Sequence, residues 1–213
     1  NMDFDIIFLQ EINNKIHNID GKQTNITTYI SNLLNMDAVY YDDLAILSKY
    51  EISNQSHKTY SISSNSFGNF ILQCSIQYSP NYSIDCINVH LNNDFIGYEQ
   101  YEAIKNLGID TLITDHKNNC QKLLLAGDFN APRFFSINKY ISNLFEQVDK
   151  NQTVSFPTYY PISNLDKVWV NEKNTNITIH KLFSDCSNNL SDHYPILFEI
   201  KLDHNISVSE LTE

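Results

Sequence analysis

One stretch constrains this chain more than any other: Leu123-Leu124-Leu125-Ala126, an apolar run that stops abruptly at Gly127-Asp128-Phe129-Asn130. Such a run reads as a buried strand. Strand side chains alternate, so its end delivers Asp128 and Asn130 side by side to the rim of a sheet. A carboxylate placed there can hold or deprotonate water, and a carboxamide can donate to a phosphate oxygen. That pairing suits hydrolysis of a phosphoester. A strand ending in Gly-Asp is also ordinary turn chemistry, so what precedes and follows it has to decide.

With 213 residues the chain can bury a substantial core in one domain. No Pro/Gly/Ser-rich tract, block of like charges or internal repeat marks a linker. We expect a single domain over residues 1–204 and a polar, frayed tail over 205–213. Triplets such as Asn25-Ile26-Thr27 resemble glycosylation acceptors, but so Asn-rich a chain produces them by chance. No apolar run is long enough to span a bilayer, so stable membrane insertion is not expected. The four cysteines, Cys74, Cys86, Cys120 and Cys186, form no Cys-x-x-Cys pair, and two of them fall in expected strands. A reduced, cytoplasmic protein is the expectation; the alternative is a secreted one whose leader lies outside this chain, which opens on Asn1. The formal net charge of −11 argues against binding nucleic acid through a broad basic surface. It argues less against a metal-dependent nuclease, because bound divalent cations reverse the local sign.

Strands are expected at 5–11, 44–48, 70–78, 83–91, 165–170, 177–183 and 195–202, beside the one ending at Asp128. Asp85 and Asn88 break the apolar face of the 83–91 strand. Helices are expected at 24–34 with Thr24 as cap, at 98–114 despite Gly108, and at 136–145. Strands dominate and helices punctuate them irregularly. That suits mixed or antiparallel sheets packed face to face with helices outside, rather than the strict alternation of a doubly wound parallel sheet.

Polar clusters sit where these strands end: Gln10-Glu11, His90, Asp128 with Asn130, Asp166, and Ser191-Asp192-His193. With their flanks they read Phe8-Leu9-Gln10-Glu11, Asn88-Val89-His90-Leu91, Gly127-Asp128-Phe129-Asn130, Leu165-Asp166-Lys167-Val168 and Ser191-Asp192-His193-Tyr194-Pro195-Ile196. This ordered set resembles the endonuclease/exonuclease/phosphatase superfamily, the DNase I-like fold. The resemblance covers nearly the whole chain. Each stretch alone is weak; their agreement in order, each at a strand end, carries it.

The resemblance implies an α/β (α+β) four-layer sandwich, two mixed β-sheets packed face to face with helices on the outside. It implies hydrolysis of phosphoesters with Mg²⁺ or Mn²⁺ by in-line attack of water. Residue by residue, Glu11 matches the metal-binding glutamate and Asp192 an aspartate close to the metal. Asp128 matches the aspartate that orients or deprotonates water, and Asn130 the asparagine that holds the scissile phosphate. His193 matches the histidine that contacts the phosphate, and Asp166 the acid that pairs with it, fixing its tautomer. His90 stands where relatives place a His or Tyr near the leaving-group oxygen. The residues themselves agree, since converging carboxylates repel one another and a cation is the usual remedy. The family usually opens with a strand carrying a metal-contacting asparagine. Only four residues precede Asp5 here, so that strand is expected to be missing and the 6–8 strand to present an edge.

Blander assignments apply elsewhere. Ser191-Asp192-His193 is not a hydrolase triad, because adjacent residues on an extended chain point apart. His17, His57, His116, His180 and His204 are expected to be surface or structural, and Lys167 a solvated lysine. Asn130 is followed by Ala131-Pro132-Arg133, and Asn164-Leu165 precede Asp166, where inositol-phosphate-cleaving relatives carry an aromatic and Arg, and a Trp. That lowers the inositol-phosphatase assignment. Phe134-Phe135 and Tyr159-Tyr160 are expected on loops at the site's rim, able to stack on bases or to touch lipid. A divalent-metal-dependent phosphodiesterase with nucleic acid as substrate therefore comes first. A phosphatase or phospholipase C-type enzyme on a small or lipid phosphoester is second, and an inactive binding module third.

Overall fold

Alternation of side chains along one strand sets the architecture. In β9 (Leu123–Asp128), Leu123 and Leu125 join one apolar core while Leu124 and Ala126 join another. The run is continuous because both faces are covered. The computed structural model describes residues 4–61, 69–93, 97–119, 121–132, 134–144, 146–147, 154–157, 162–171, 176–181, 191–193 and 195–201.

The chain runs β1 (Ile6–Leu9), β2 (His17–Ile19), β3 (Lys22–Thr24), α1 (Ile26–Leu34), β4 (Asp37–Tyr41), β5 (Leu44–Ser48), β6 (Glu51–Tyr60), β7 (Asn69–Ser79) and β8 (Tyr82–His90). It continues through α2 (Tyr98–Leu107), α3 (Ile109–Asn118), β9, α4 (Ser136–Ser142), β10 (Glu146–Gln147), β11 (Asp166–Val170), β12 (Asn176–Lys181) and β13 (Ile196–Lys201). Six strands form one sheet in the order β10-β11-β9-β8-β7-β6. Its pairs are antiparallel except β8 with β9, which are parallel and are joined through α2 and α3, the crossover that a parallel pair needs. A three-stranded antiparallel sheet has the order β1-β5-β4.

The cores fix the layers. Ile104 and Leu107 of α2, Ile113 of α3 and Ile137 and Ile141 of α4 pack on one face of the large sheet. Leu44 and Ile46 of β5 pack on the other, against Leu72 and Cys74 of β7 and Leu124 of β9. Ala45 and Leu47 point the opposite way, toward Ile30 of α1. All of β5 is buried, its apolar run Leu44–Leu47 followed by a buried Ser48. Phe198 and Ile200 of β13 add to the core between the sheets.

Some expectations need correction. Among the described residues only the large sheet is mixed; its partner is antiparallel, and β12 and β13 pair as a separate ladder. The cap of α1 is Asn25, not Thr24: the Asn25 Oδ1 accepts from the Thr28 N–H at 2.7 Å. The single helix over 98–114 is two, because Gly108 takes φ 73 and ends α2. The strands expected at 177–183 and 195–202 are present as β12 and β13, and the last expected residues, 182–183 and Leu202, lie outside the described residues. The tail lies outside them too.

Candidate active site

Asp128 closes β9 and Asp166 opens β11, and the two are register partners across the antiparallel pair. Gly127 makes this rim possible. It takes φ 136, and a Cβ there would stand 2.1 Å from the Val89 carbonyl oxygen, so no side chain fits. Beyond Asp128, Phe129 turns inward against Trp169 with ring centroids 4.6 Å apart and planes at 78°. Such an edge-on pair is worth about 0.5–1.5 kcal/mol beyond area burial and anchors the rim.

His193 lies against both acids. Its Nδ1 is 2.8 Å from Asp166 Oδ2 and its Nε2 is 3.8 Å from Asp128 Oδ2. Burial works against the charged imidazole, but the hydrogen bond and charge of Asp166, with Asp128 and Asp192 behind it, raise its pKa to about 9. Asp128 is 4% exposed; burial, then the charge of Asp166, push its carboxyl up to about 6. The expected pairing of Asp166 with the histidine is thus present in the geometry.

Asn130 takes φ 45 and folds back. Its backbone N–H donates to Asp128 Oδ1 at 2.7 Å and its Nδ2 donates to the Leu91 carbonyl at 2.8 Å. One amide hydrogen is therefore spent on position, and the second remains for a ligand.

His90 ends β8. Its Nδ1 donates to Asp43 Oδ2 at 2.5 Å, and its Nε2 stands 3.9 Å from Glu11 Oε1. Burial lowers its pKa, but Asp43, Asp128 and Glu11 together outweigh that and raise it. Glu11 takes φ 55 and is exposed. It is placed by its neighbour: Gln10 Nε2 donates to Asn88 Oδ1 at 2.6 Å, and Asn88 Nδ2 donates to the carbonyls of Leu9 and Ala45. Asn88, which broke an apolar face in the sequence, is fully buried and ties the two sheets together.

A cleft of about 850 Å³ joins these groups. Glu11, His90, Asp128, Asn130, Asp192 and His193 line it, whereas Asp166 does not. Asp166 therefore reaches the cleft through His193. Lys167 is not solvated: it is 3% exposed, and its Nζ donates to the Asn164 carbonyl and Oδ1. Phe135 packs into the core and Phe134 is exposed, and neither lines the cleft; Tyr159 and Tyr160 lie outside the described residues. His116 is structural, bound to Asp85, and His57 stacks on Tyr41. Sequence reasoning missed Asp43 and Gln100. Asp42-Asp43 looked like turn residues before an apolar strand. Gln100, fully buried on α2, donates to the carbonyls of Asn92 and Asn130; a polar residue on the apolar face of a helix was its signal.

A divalent cation fits this chemistry. Asp128, Asp166 and His193 bring ligand atoms within 4.8 Å of one another and can hold a metal. The two carboxylates of this group are its hard-cation donors. Glu11 and Asp192 add carboxylates to the same cleft outside that group. Asp43 Oδ1 is buried with no hydrogen bond among the described residues.

Fold and site together define a phosphoesterase-type architecture, with acids, an imidazole and a carboxamide gathered at the strand ends of a two-sheet α/β domain. Residues 1–193 match the model of the Endonuclease/Exonuclease/phosphatase family, and the chain belongs to that family. No curated protein matches the sequence. Among solved structures, the chain is similar to the human Nocturnin catalytic domain with bound sulfate anion, at TM-score 0.67 and 15% identity over 92% of this chain and 81% of that one. It is similar to a mannosyl-6-phosphatase from Bacteroides thetaiotaomicron, at TM-score 0.67 and 13% identity over 83% of this chain and 81% of that one. Truncated Caenorhabditis elegans TDP2 matches at TM-score 0.62 and 15% identity, over 92% and 84%. At such identities these matches speak for the fold.

Proposed function

We propose that this protein is a Mg²⁺- or Mn²⁺-dependent phosphodiesterase acting on nucleic-acid-type substrates by in-line attack of water. The observation that carries the proposal is the Asp166–His193–Asp128 arrangement at the wall of an acidic cleft. The 3.8 Å from His193 Nε2 to Asp128 Oδ2 is too long for a hydrogen bond. The imidazolium Nε2–H is thus left to donate to a phosphate oxygen, while Asp166 holds the ring's tautomer and charge. Asp128, buried and with a raised pKa, orients the attacking water and takes its proton. Asn130 gives its second amide hydrogen to the phosphate. His90, held by Asp43, donates a proton to the departing oxygen. Glu11 and Asp192 would hold the cation, which when bound neutralises phosphate charge.

We assign residues 1–204 to one domain, with β12 and β13 completing the second layer of a four-layer sandwich, since Phe198 and Ile200 share the core between the sheets. The cytoplasm remains the proposed compartment. The test of function is a hydrolysis screen with Mg²⁺ or Mn²⁺, and with EDTA, against single- and double-stranded DNA, RNA, inositol phosphates and sphingomyelin. Cation-dependent cleavage of DNA or RNA is expected. Cleavage of inositol phosphates or sphingomyelin alone would replace the nuclease assignment with a phosphatase or phospholipase one. No cleavage would leave a binding module.

A further inference from the structure

Rings line the cleft near both histidines: Phe156 lies against His193 with centroids 4.9 Å apart, and a larger group stands on the side of His90. Phe70 and His90 are register partners on β7 and β8. Directly opposed residues put their Cβ atoms about 4.5–5.5 Å apart on one face, so Phe70 and His90 share a face of the sheet, and both line the cleft. Tyr41 adds a second ring, 6.5 Å from Phe70 at 58°. Tyr41 is held in turn by His57, with ring centroids 3.5 Å apart and planes at 14°. Tyr41 and Phe70 both line the cleft. These rings sit where the proton donor would meet the leaving group, and His57 presets one of them, so little ordering entropy is lost when a flat group packs there.

Charge limits what else the cleft can accept. Glu11, Asp42, Asp43, Asp128 and Asp192 line it, and Lys15 is the only Lys or Arg among its described lining residues. A long polyanion is held by a track of phosphate contacts. Among the described residues the walls offer rings and carboxamides instead of such a track.

We infer that the leaving-group side takes a flat ring, and that the substrate is a short phosphodiester, one or two nucleotides long, whose departing alcohol carries a base. This inference rests on the phosphodiesterase assignment and on the role given there to His90.

The test compares dithymidine monophosphate with its counterpart lacking both bases, so that whichever alcohol leaves the second substrate bears no base. Tyr41→Leu and Phe70→Leu are assayed beside the parent; both keep an apolar side chain at the position. The parent should prefer the base-bearing substrate in kcat/KM by about tenfold or more, the scale of one base–aromatic stack. Each variant should lose about tenfold in that ratio. Cleavage per bond of a thymidine 20-mer should be no faster than that of the dinucleotide. Binding of free thymidine, followed by saturation transfer to the tyrosine and phenylalanine rings, gives a readout independent of turnover. An unchanged ratio in both variants, or a 20-mer cleaved far faster, overturns the inference while leaving the phosphodiesterase assignment intact. Thymidine binding that Tyr41→Leu abolishes, in a protein that cleaves no phosphoester, overturns the assignment and keeps the ring site.

Discussion

Asp128 and Asp166 face each other across β9 and β11 as register partners, and His193 rests against both, 2.8 Å from Asp166 and 3.8 Å from Asp128. Two carboxylates this close repel, and the proton on the imidazole relieves them. Replacing Asp166 with Asn removes the charge with little change in shape. Turnover should fall by about 10² or more, the scale of electrostatic groups. In the apo protein the His193 pKa should drop from about 9 toward 6.5, which imidazole C–H resonances would report. An unmoved resonance would show that Asp166 does not hold the ring.

Asp128→Asn should lower turnover by a similar factor of about 10² with melting unchanged or raised, because it removes a buried charge at the rim. Rates near those of the parent would displace Asp128 from its proposed role.

Removal of divalent cations should abolish hydrolysis, and Glu11→Gln should raise the Mg²⁺ or Mn²⁺ needed for half-maximal rate, with partial rescue at high metal. The exposed position of Glu11 makes a folding defect an unsuitable explanation for either result. A metal titration that superimposes on the parent's would remove Glu11 from the ligand set.

Gln100 touches no predicted catalytic side chain, yet it bonds the carbonyls of Asn92 and Asn130. Gln100→Leu should lower kcat about tenfold or more with less effect on KM, since small displacements of positioned groups are costly. Gln100→Glu, which loses the donating amide, should not restore the rate. A change confined to melting temperature would make Gln100 purely structural.

His116 supplies a pH-dependent stability contribution. Its Nδ1 faces the Leu112 carbonyl at 2.7 Å and its Nε2 faces Asp85 Oδ2 at 2.6 Å, so both nitrogens donate and the ring is charged. The Asp85 hydrogen bond raises its pKa above the usual 6.5, ahead of the opposing burial. Its contribution is therefore complete below about 6.5 and is lost as pH rises through the folded value. Asp85 is the reverse: burial raises its pKa, but the bonds from His116 and Ser75 and the His116 charge bring it below 3.8. Its contribution is complete above about 3.9 and is lost as pH falls through the folded value. His116→Ala should cost about 1.5–3 kcal/mol between about pH 4 and 6.5, the range for bonds to charged groups. It should cost less at pH 9. Denaturant unfolding across that range checks it, and a pH-independent loss would deny the charge.

The buried strands were legible because burial on both faces leaves a continuous apolar run: Leu44–Ser48 was read to the residue. β6 was not read. It is the edge of the large sheet, and its Glu51–Tyr60 sequence is mostly exposed, so no alternation marks it. β4, with Val39 as its only buried residue, gave little more. Predicted site residues lay at strand ends, where polarity breaks an apolar run, and the structure gathers Glu11, His90, Asp128, Asn130, Asp192 and His193 around one cleft. Asp43 and Gln100 were hidden because their roles depend on partners 47 and 30 residues away. Lys167 was misread because sequence does not show that the Asn164 oxygens meet its ammonium in the interior.

Asn88 is the one buried side chain seen to bond Gln10, Leu9 and Ala45 at once, reaching from the large sheet into the small one. Glu11 stands on the small sheet's side of the cleft, and His90, Asp128 and Asp166 on the large sheet's side. The distance between the proposed metal-binding carboxylate and the proposed acid–base groups is therefore a matter of how two slabs are pinned. A slip at that pin would open the reaction centre while every strand remained intact, so on warming such a protein should fall silent before it melts.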